Sequence, residues 1–313
     1  MRLRLGRPDL GRHADRFDVP PAGEDADLAV TFLGVSTLLL DDGRSAILFD
    51  GYFSRPSLAR VLATRISPDP QRIDAALTRL GFGPTARQLK AVLPVHSHFD
   101  HALDAAVVAR RTGAVLVGGE STANVGRGGG LDPHRIHVVQ PGAAARFGAF
   151  TVTHVVSDHC PPDRFPGAIA TPVVPPARAR AYRCGEAWSI LVEHASGRTV
   201  LVQGSAGFVP GALDGRRADV VYLGVGQLGV HPDGYLRDYW HHTVRAVGAR
   251  RVVLTHWDDF FRPLDQPLRA LPLAGDDLDH TVRVLDEEAR RDGVRLHLPA
   301  VWRAEDPWAR TAP

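Results

Sequence analysis

The sequence predicts an α/β protein whose strands and helices lie in layers, on three observations. Short apolar runs of strand length fall into two hairpin-rich halves, residues 28–49 and 188–203. Amphipathic helical patterns separate or follow the other strands, most plainly at 102–111, 236–247 and 278–291. Three further apolar strands, 91–95, 150–156 and 251–255, each run into a turn that carries histidine. With 313 residues, 44% of them hydrophobic, the chain can close one large layered core.

Residues 1–26 are rich in Arg, Asp, Gly and Pro without periodicity, which predicts an arm over the surface with a solvated His13. Residues 27–313 then form a single domain. Runs 28–34, 36–40 and 45–49 are separated by Gly34 and by Asp41-Asp42-Gly43, which reads as a β-meander with a strong hairpin turn. Helical patterns at 56–64 and 71–80, broken by Ser67-Pro-Asp-Pro and Gly81-Phe-Gly-Pro, predict a helical insertion across 54–90. Strand 91–95 is followed by helix 102–111 and strand 114–117. Gly126-Arg-Gly-Gly-Gly lacks the strand-to-helix setting of a phosphate cradle and reads as a flexible loop, with His134 and His137 on either side of a short strand. Six prolines predict a long loop over 161–185, able to cross the mouth of a site. Arg178, Arg180, Tyr182 and Arg183 on it could meet an anionic group, and a solvated arginine face is the reading preferred. Hairpin 188–203, strand 220–224, helix 236–247, strand 251–255, helix 278–291 and strand 294–298 complete the chain. His241 and His242 point about 100° apart on their helix and read as structural.

Thirty-seven basic residues against 35 acidic ones leave a formal charge of +2, too weak a field to draw in nucleic acid. Lys90 is the only lysine, so the positive charge is arginine, a compositional bias rather than a phosphate-binding array. Cys160 and Cys184 are too few for a disulfide framework and fit a reducing compartment. The N-terminus has charge but no apolar segment, and nowhere do about eighteen apolar residues run together. A cytoplasmic protein acting on a small molecule is expected, with no membrane insertion.

Directly after strand 91–95 come His96, His98, Asp100 and His101. Neutral imidazoles suit borderline metals such as zinc, carboxylate suits zinc, manganese or iron, and the lack of thiolate argues against a closed structural zinc site. In an extended turn His96 and His98 share a face. Two later strands also end near histidine, at His159 and at His256. His154 is the competitor to His159 should the register shift.

His96-x-His98-x-Asp100-His101, between an apolar strand and a helix, resembles the metal-binding signature of the metallo-β-lactamase fold superfamily. The resemblance runs through roughly residues 28–260 and implies a four-layer αββα sandwich with one or two metal ions at the edge of the sheets. Hydrolysis by a metal-bound hydroxide is the usual activity it implies. His159 matches the third histidine ligand, and His256-Trp257 resembles the final one. The implied ligand sets are His96, His98 and His159 at one metal, and Asp100, His101 and His256 at a second. Asp50, which alone reads as a strand-end turn former, takes by resemblance the place of an aspartate that supports a ligand histidine through its other nitrogen.

Phe32-Leu33-Gly34-Val35-Ser36-Thr37 with Ile47-Leu48-Phe49-Asp50 resembles, more narrowly, the branch containing L-ascorbate-6-phosphate lactonase and N-acyl phosphatidylethanolamine phospholipase D. Members usually carry His in place of Val35 and Pro in place of Gly51. In Gly204-Ser205-Ala206-Gly207, Ser205 stands where most of that branch carry an aspartate bridging both metals. A neutral hydroxyl compensates the repulsion of two dications poorly, so one Zn2+ should be held tightly and a second weakly or not at all, with Mn2+ or Fe2+ as alternatives. Asp258 and Asp259 either restore that charge or cap a turn. The expected activity is hydrolysis of a small ester, lactone or phosphodiester, with Asp100 as ligand and as the group that orients water or hands on a proton. The alternatives are a lyase or cyclase using the metal as Lewis acid, and a weakly catalytic member that binds a metabolite.

Overall fold

The structure, a computed structural model, describes residues 5–83 and 89–309. Residues 84–88 of the predicted insertion, 1–4 of the arm and 310–313 lie outside the described residues. The first half of the chain runs β1 (Ala29–Phe32), β2 (Leu38–Asp41), β3 (Ala46–Phe49), α1 (Leu58–Ala63), α2 (Pro70–Arg79), β4 (Ala91–Leu93), α3 (Phe99–Ala102), α4 (Ala105–Thr112), β5 (Val115–Gly118), α5 (Glu120–Gly128) and β6 (Ile136–Val138). The second half runs β7 (Ala144–Phe147), β8 (Phe150–Ser157), β9 (Ala187–His194), β10 (Thr199–Gln203), β11 (Val220–Gly224), α6 (Asp233–Trp240), β12 (Arg251–Thr255), α7 (Leu278–Asp292) and β13 (Arg295–His297). β14 (Ala304–Glu305) then returns to β1.

Each half makes one mixed sheet, in the orders β14-β1-β2-β3-β4-β5-β6 and β13-β12-β11-β10-β9-β8-β7. Tight turns make antiparallel neighbours of β1, β2 and β3, of β7 and β8, and of β9 and β10, while the long loop after β8 returns the chain as β9 antiparallel beside it. Longer connections make parallel neighbours of β3 to β6 and of β10 to β13. β11 and β12 are buried at every residue, as strands covered on both faces must be. Alternation assigns the layers. Ile47 and Phe49 on one face of β3 join Val152, Ile190, Val202 and Val221 of the other sheet in the central core. Leu48, on the opposite face, packs with Ile73 and Leu77 of α2 and Val108 of α4. With α6 and α7 packed together over the second sheet, the layers are helix, sheet, sheet, helix.

Three expectations need correction. Gly126-Arg-Gly-Gly-Gly is not a free loop, since α5 runs through Gly126 and Gly128. The glycines allow close packing there: a Cβ on Gly126 would come within 2.6 Å of Leu116 Cδ2, and one on Gly128 within 2.0 Å of the Val173 carbonyl oxygen. His13 is not solvated, because its Nε2 lies 2.8 Å from Asp279 Oδ1 and its side chain is 11% exposed. Residues 5–26 are tied down, with a 3-10 helix at Leu10–Arg16, Val19 buried and Arg7 bonded to the Ala270 carbonyl. His137 lies within β6 rather than beside it.

Asp104, just ahead of α4, fixes the segment that follows β3. Its carboxylate accepts from Phe53 N at 2.7 Å, Ser54 N at 2.6 Å and Ser54 Oγ at 2.6 Å. Burial pushes its pKa up to about 6 against the pull of those bonds. Asp104→Ala would strand three buried donors, and a loss of about 2–4 kcal/mol is expected, read as a lower urea midpoint at unchanged m. A loss below about 0.5 kcal/mol would show that these bonds do not hold the segment.

Candidate metal centre

Residues from the carboxyl ends of β4, β8 and β12 meet at one edge of the two sheets. Past β4 the chain is pinned by Asp50, whose Oδ1 accepts from Val95 N at 3.0 Å. His96 and His98 follow, and α3 presents Asp100 and His101. All four are buried.

His96, His98 and His159 form a first group whose ring nitrogens lie within 4.8 Å of one another. His96 Nε2 and His98 Nδ1 are 3.1 Å apart. Two nitrogens on a tetrahedral zinc, each at 2.0–2.1 Å, stand about 3.3 Å apart, so the pair already has the spacing of two ligands on one ion. His159 Nδ1 donates to the Cys160 carbonyl at 2.7 Å, leaving Nε2 for the shared point. Burial, followed by the neighbouring imidazoles, holds His96 well below the ordinary histidine value. Burial and then His98 take His159 down to about 4. Both rings are therefore neutral donors at pH 7.

Asp100, His101 and His256 form the second group. Asp100 Oδ2 lies 3.7 Å from His101 Nε2 and 3.6 Å from His256 Nε2, too far for hydrogen bonds and suited to a shared cation. His101 Nδ1 meets Asp50 Oδ2 at 2.8 Å, which turns Nε2 toward the group. Burial would raise the Asp100 pKa, but His101, His256 and His98 hold it far below the usual carboxylate range. Burial works equally against a proton on His256, yet Asp100 raises its pKa above the ordinary value. Gly226 backs this ring: a Cβ there would come within 2.6 Å of His256 Nδ1.

Strain gathers around these groups. Val35 (φ 53°), Asp50 (φ 55°), Arg55 (φ 41°) and His256 (φ 60°) all occupy the left-handed region, at about 1–3 kcal/mol each. The bonds around them enforce it, since His256 N donates to the Val35 carbonyl at 2.7 Å and Val35 N donates to Asp258 Oδ1 at 2.7 Å. Gly51 has φ 83°, which proline, fixed near −65°, cannot adopt.

The remaining sequence candidates fall as follows. Ser205 is buried, and its Oγ accepts from Cys160 N at 3.0 Å, so it supports the segment bearing His159. Asp258 is already neutralised within the fold: it takes Val35 N on one oxygen and forms a fully buried ion pair with Arg55 on the other. Asp259 pairs with Arg7 and Arg269. Both carboxylates are thus engaged by arginine within the fold. His154 lies in the interior beside Trp188, with ring centroids 5.6 Å apart, and belongs to neither group. Sequence reasoning missed Asp163, whose Oδ1 is 3.1 Å from His98 Nε2, within ion-pair reach though not aligned as a hydrogen bond. No periodicity marks that aspartate in a proline-rich loop. A cleft of about 430 Å³ opens on His159, walled by Asp158, Asp163, Pro161, Phe208 and Tyr235.

The donor chemistry fits a cation, with five imidazoles and one carboxylate in the two sets. The family model of the metallo-beta-lactamase superfamily matches residues 30–187, about half of the chain. The chain belongs to the metallo-beta-lactamase superfamily. The superfamily architecture is what the two mixed sheets and their covering helices show. No curated protein matches it in sequence. Among solved structures it is similar to a possible metal-dependent hydrolase from Veillonella parvula, at 13% identity and TM-score 0.56, covering 90% of this chain and 99% of that one. It is also similar to the metallo hydrolase Igni18 from Ignicoccus hospitalis, at 14% identity and TM-score 0.51, covering 89% and 96%. CmlA, a diiron β-hydroxylase from Streptomyces venezuelae, aligns at 13% identity and TM-score 0.52 over 90% of this chain but 54% of its own. At these identities the likeness is one of fold, and superfamily membership leaves the reaction to be argued from the site. Among the described residues no helix is long and apolar enough to cross a membrane.

Proposed function

We propose that the protein is a metal-dependent hydrolase of a small ester, lactone or phosphodiester. The observation that carries this reading is the meeting of five imidazoles and Asp100 at one sheet edge, with His159 open to a cleft. His96, His98 and His159 would hold one cation, Zn2+ by donor type with Mn2+ or Fe2+ as alternatives, and Asp100, His101 and His256 a second, weaker one. When bound, the cation supplies Lewis acidity, bringing the pKa of water toward about 7 and polarising the carbonyl or phosphoryl group under attack.

The chain's own residues do the rest. Asp50 and the Cys160 carbonyl fix the tautomers of His101 and His159 so that each offers Nε2. Asp100 Oδ2 faces His101 and His256, and its other oxygen is left to accept a hydrogen bond from the attacking water or pass a proton to the leaving group. Phe208, Tyr235 and Pro161 give the substrate an apolar wall. The two cysteines are free, and we place the protein in the reducing cytoplasm.

The test is turnover of nitrocefin, a lactone series and bis(p-nitrophenyl) phosphate by zinc-loaded protein. Turnover of at least one substrate, abolished by chelation and restored by the cation, is expected. No cation-dependent turnover across the panel with zinc, manganese or iron would overturn the hydrolase reading and leave a lyase, a cyclase or a metabolite binder.

A further inference from the structure

Beside the metal groups, Arg65, Arg164, Arg178, Arg180 and Arg183 line one open cleft of about 680 Å³. No carboxylate is among the residues that line it. Elsewhere in this nearly charge-balanced chain many guanidinium groups are paired, as in Arg16 with Asp286, Arg111 with Asp74 and Arg245 with Asp292, while others, such as Arg135 and Arg251, are spent on backbone carbonyls. In the cleft, Arg65 and Arg178 meet only the carbonyls of Pro176 and Ala63, and among the described residues none of the five has a carboxylate within ion-pair distance. The nearest acidic neighbour in sequence, Asp163, is turned inward, accepting from Phe165 N at 2.9 Å and lying against His98.

The cleft is also built. Ile66 and Ala177 exchange backbone hydrogen bonds of 2.7 and 2.9 Å, tying Arg65 to the strand of loop that carries Arg178. Cys184 N donates to Phe165 O, and Ser97 N to Cys184 O, which ties Arg164 and Arg183 to the metal-bearing turn. Phe165 is the common wall: it lines the cleft, and its ring centroid stands 6.2 Å from that of His98. Guanidinium forks held together without counter-charge favour a multivalent oxyanion, since each can take two oxygens and the summed field concentrates anions at the mouth.

We propose that this arginine cleft binds the anionic group of the substrate, a phosphate, sulfate or carboxylate cluster of two or more negative charges, while the scissile bond lies at His159. The assignment of that group to a substrate rests on the hydrolase reading; the anion site itself does not.

The experiment separates the two. Metal-loaded full-length protein is titrated with pyrene-1,3,6,8-tetrasulfonate, a polyanion that chelates metal poorly, and binding is followed by fluorescence anisotropy. The Arg164→Gln/Arg180→Gln/Arg183→Gln variant is expected to bind at least about tenfold more weakly, by loss of charge-assisted hydrogen bonds. The Arg217→Gln/Arg250→Gln variant, in the basic cleft lined also by Asp219 and Trp308, is expected to bind as the parent does. An unchanged triple variant, or an equal loss in both variants, would mean only a solvated basic surface and overturn the proposal. With a matched pair of p-nitrophenyl esters, one bearing a phosphate and one neutral, the triple variant should raise KM about tenfold for the anionic ester alone, with kcat near the parent's. An equal rise for both esters would remove the substrate role. Absence of turnover would count against the hydrolase reading and leave the dye result to decide the anion site.

Discussion

Asp100→Ala in zinc-loaded protein is expected to lower kcat/KM by about 10²–10⁴-fold while one cation per chain remains bound. The two outcomes separate because the two groups share no ligand: His96, His98 and His159 form one, and Asp100 belongs with His101 and His256. His96→Ala, by contrast, should remove both the tight cation and the activity. Ser205 is expected to set the stoichiometry. Its hydroxyl is occupied by Cys160 N, and no carboxylate stands at that position to offset two neighbouring dications. Metal analysis after exhaustive dialysis should therefore give one ion in the parent, with a second retained by Ser205→Asp, whose oxygen can still accept from Cys160 N. Two equally tight ions in the parent would defeat this account of Ser205, and full activity in Asp100→Ala would defeat the role given to that carboxylate.

What the sequence made legible has a physical reason. Imidazoles and carboxylates at strand ends stand out, and period-two apolar runs locate strand ends well, so the candidates His96, His98, Asp100, His101, His159 and His256 were nameable, and the fold gathers them into two groups. Asp50 was nameable because it closes β3, and the structure sets it against His101. The contacts that escaped are those made by tertiary folding between residues with no local signature. Arg55 and Asp258 are 203 positions apart, and Asp163 reaches His98 from a loop without periodicity. The glycines of α5 were misread because glycine speaks for a turn by propensity, whereas here it serves the close approach of Leu116 and the Val173 backbone. Ser205 was nameable, but the partner of its hydroxyl, Cys160 N, was not.

Arg55→Met is expected to destabilise the fold by about 3–5 kcal/mol and to empty the second cation group. Both side chains of the Arg55–Asp258 pair are fully buried, so deleting the guanidinium leaves a carboxylate without counter-charge in a dry interior. The damage does not stop at the pair. Asp258 also holds Val35 N, and Val35 O in turn holds His256 N, so the left-handed backbone at Val35 and His256 hangs from this ion pair. Gly34 belongs to the same arrangement: it has φ 84°, and a Cβ there would come within 2.9 Å of Arg55 and 3.0 Å of Asp258. The pair is not fully satisfied, since Arg55 Nε and Nη1 find no partner among the described residues. A neutral replacement of both partners should therefore be tolerated better than loss of either one. Arg55→Met/Asp258→Asn keeps an acceptor for Val35 N, and in a double-mutant cycle it should recover about 2 kcal/mol or more of the single-variant loss. Urea midpoints give the stability and metal analysis of Mn2+-supplemented protein gives the second cation. A loss below about 1 kcal/mol in Arg55→Met with the second cation retained would show that His256 is positioned by something other than this pair.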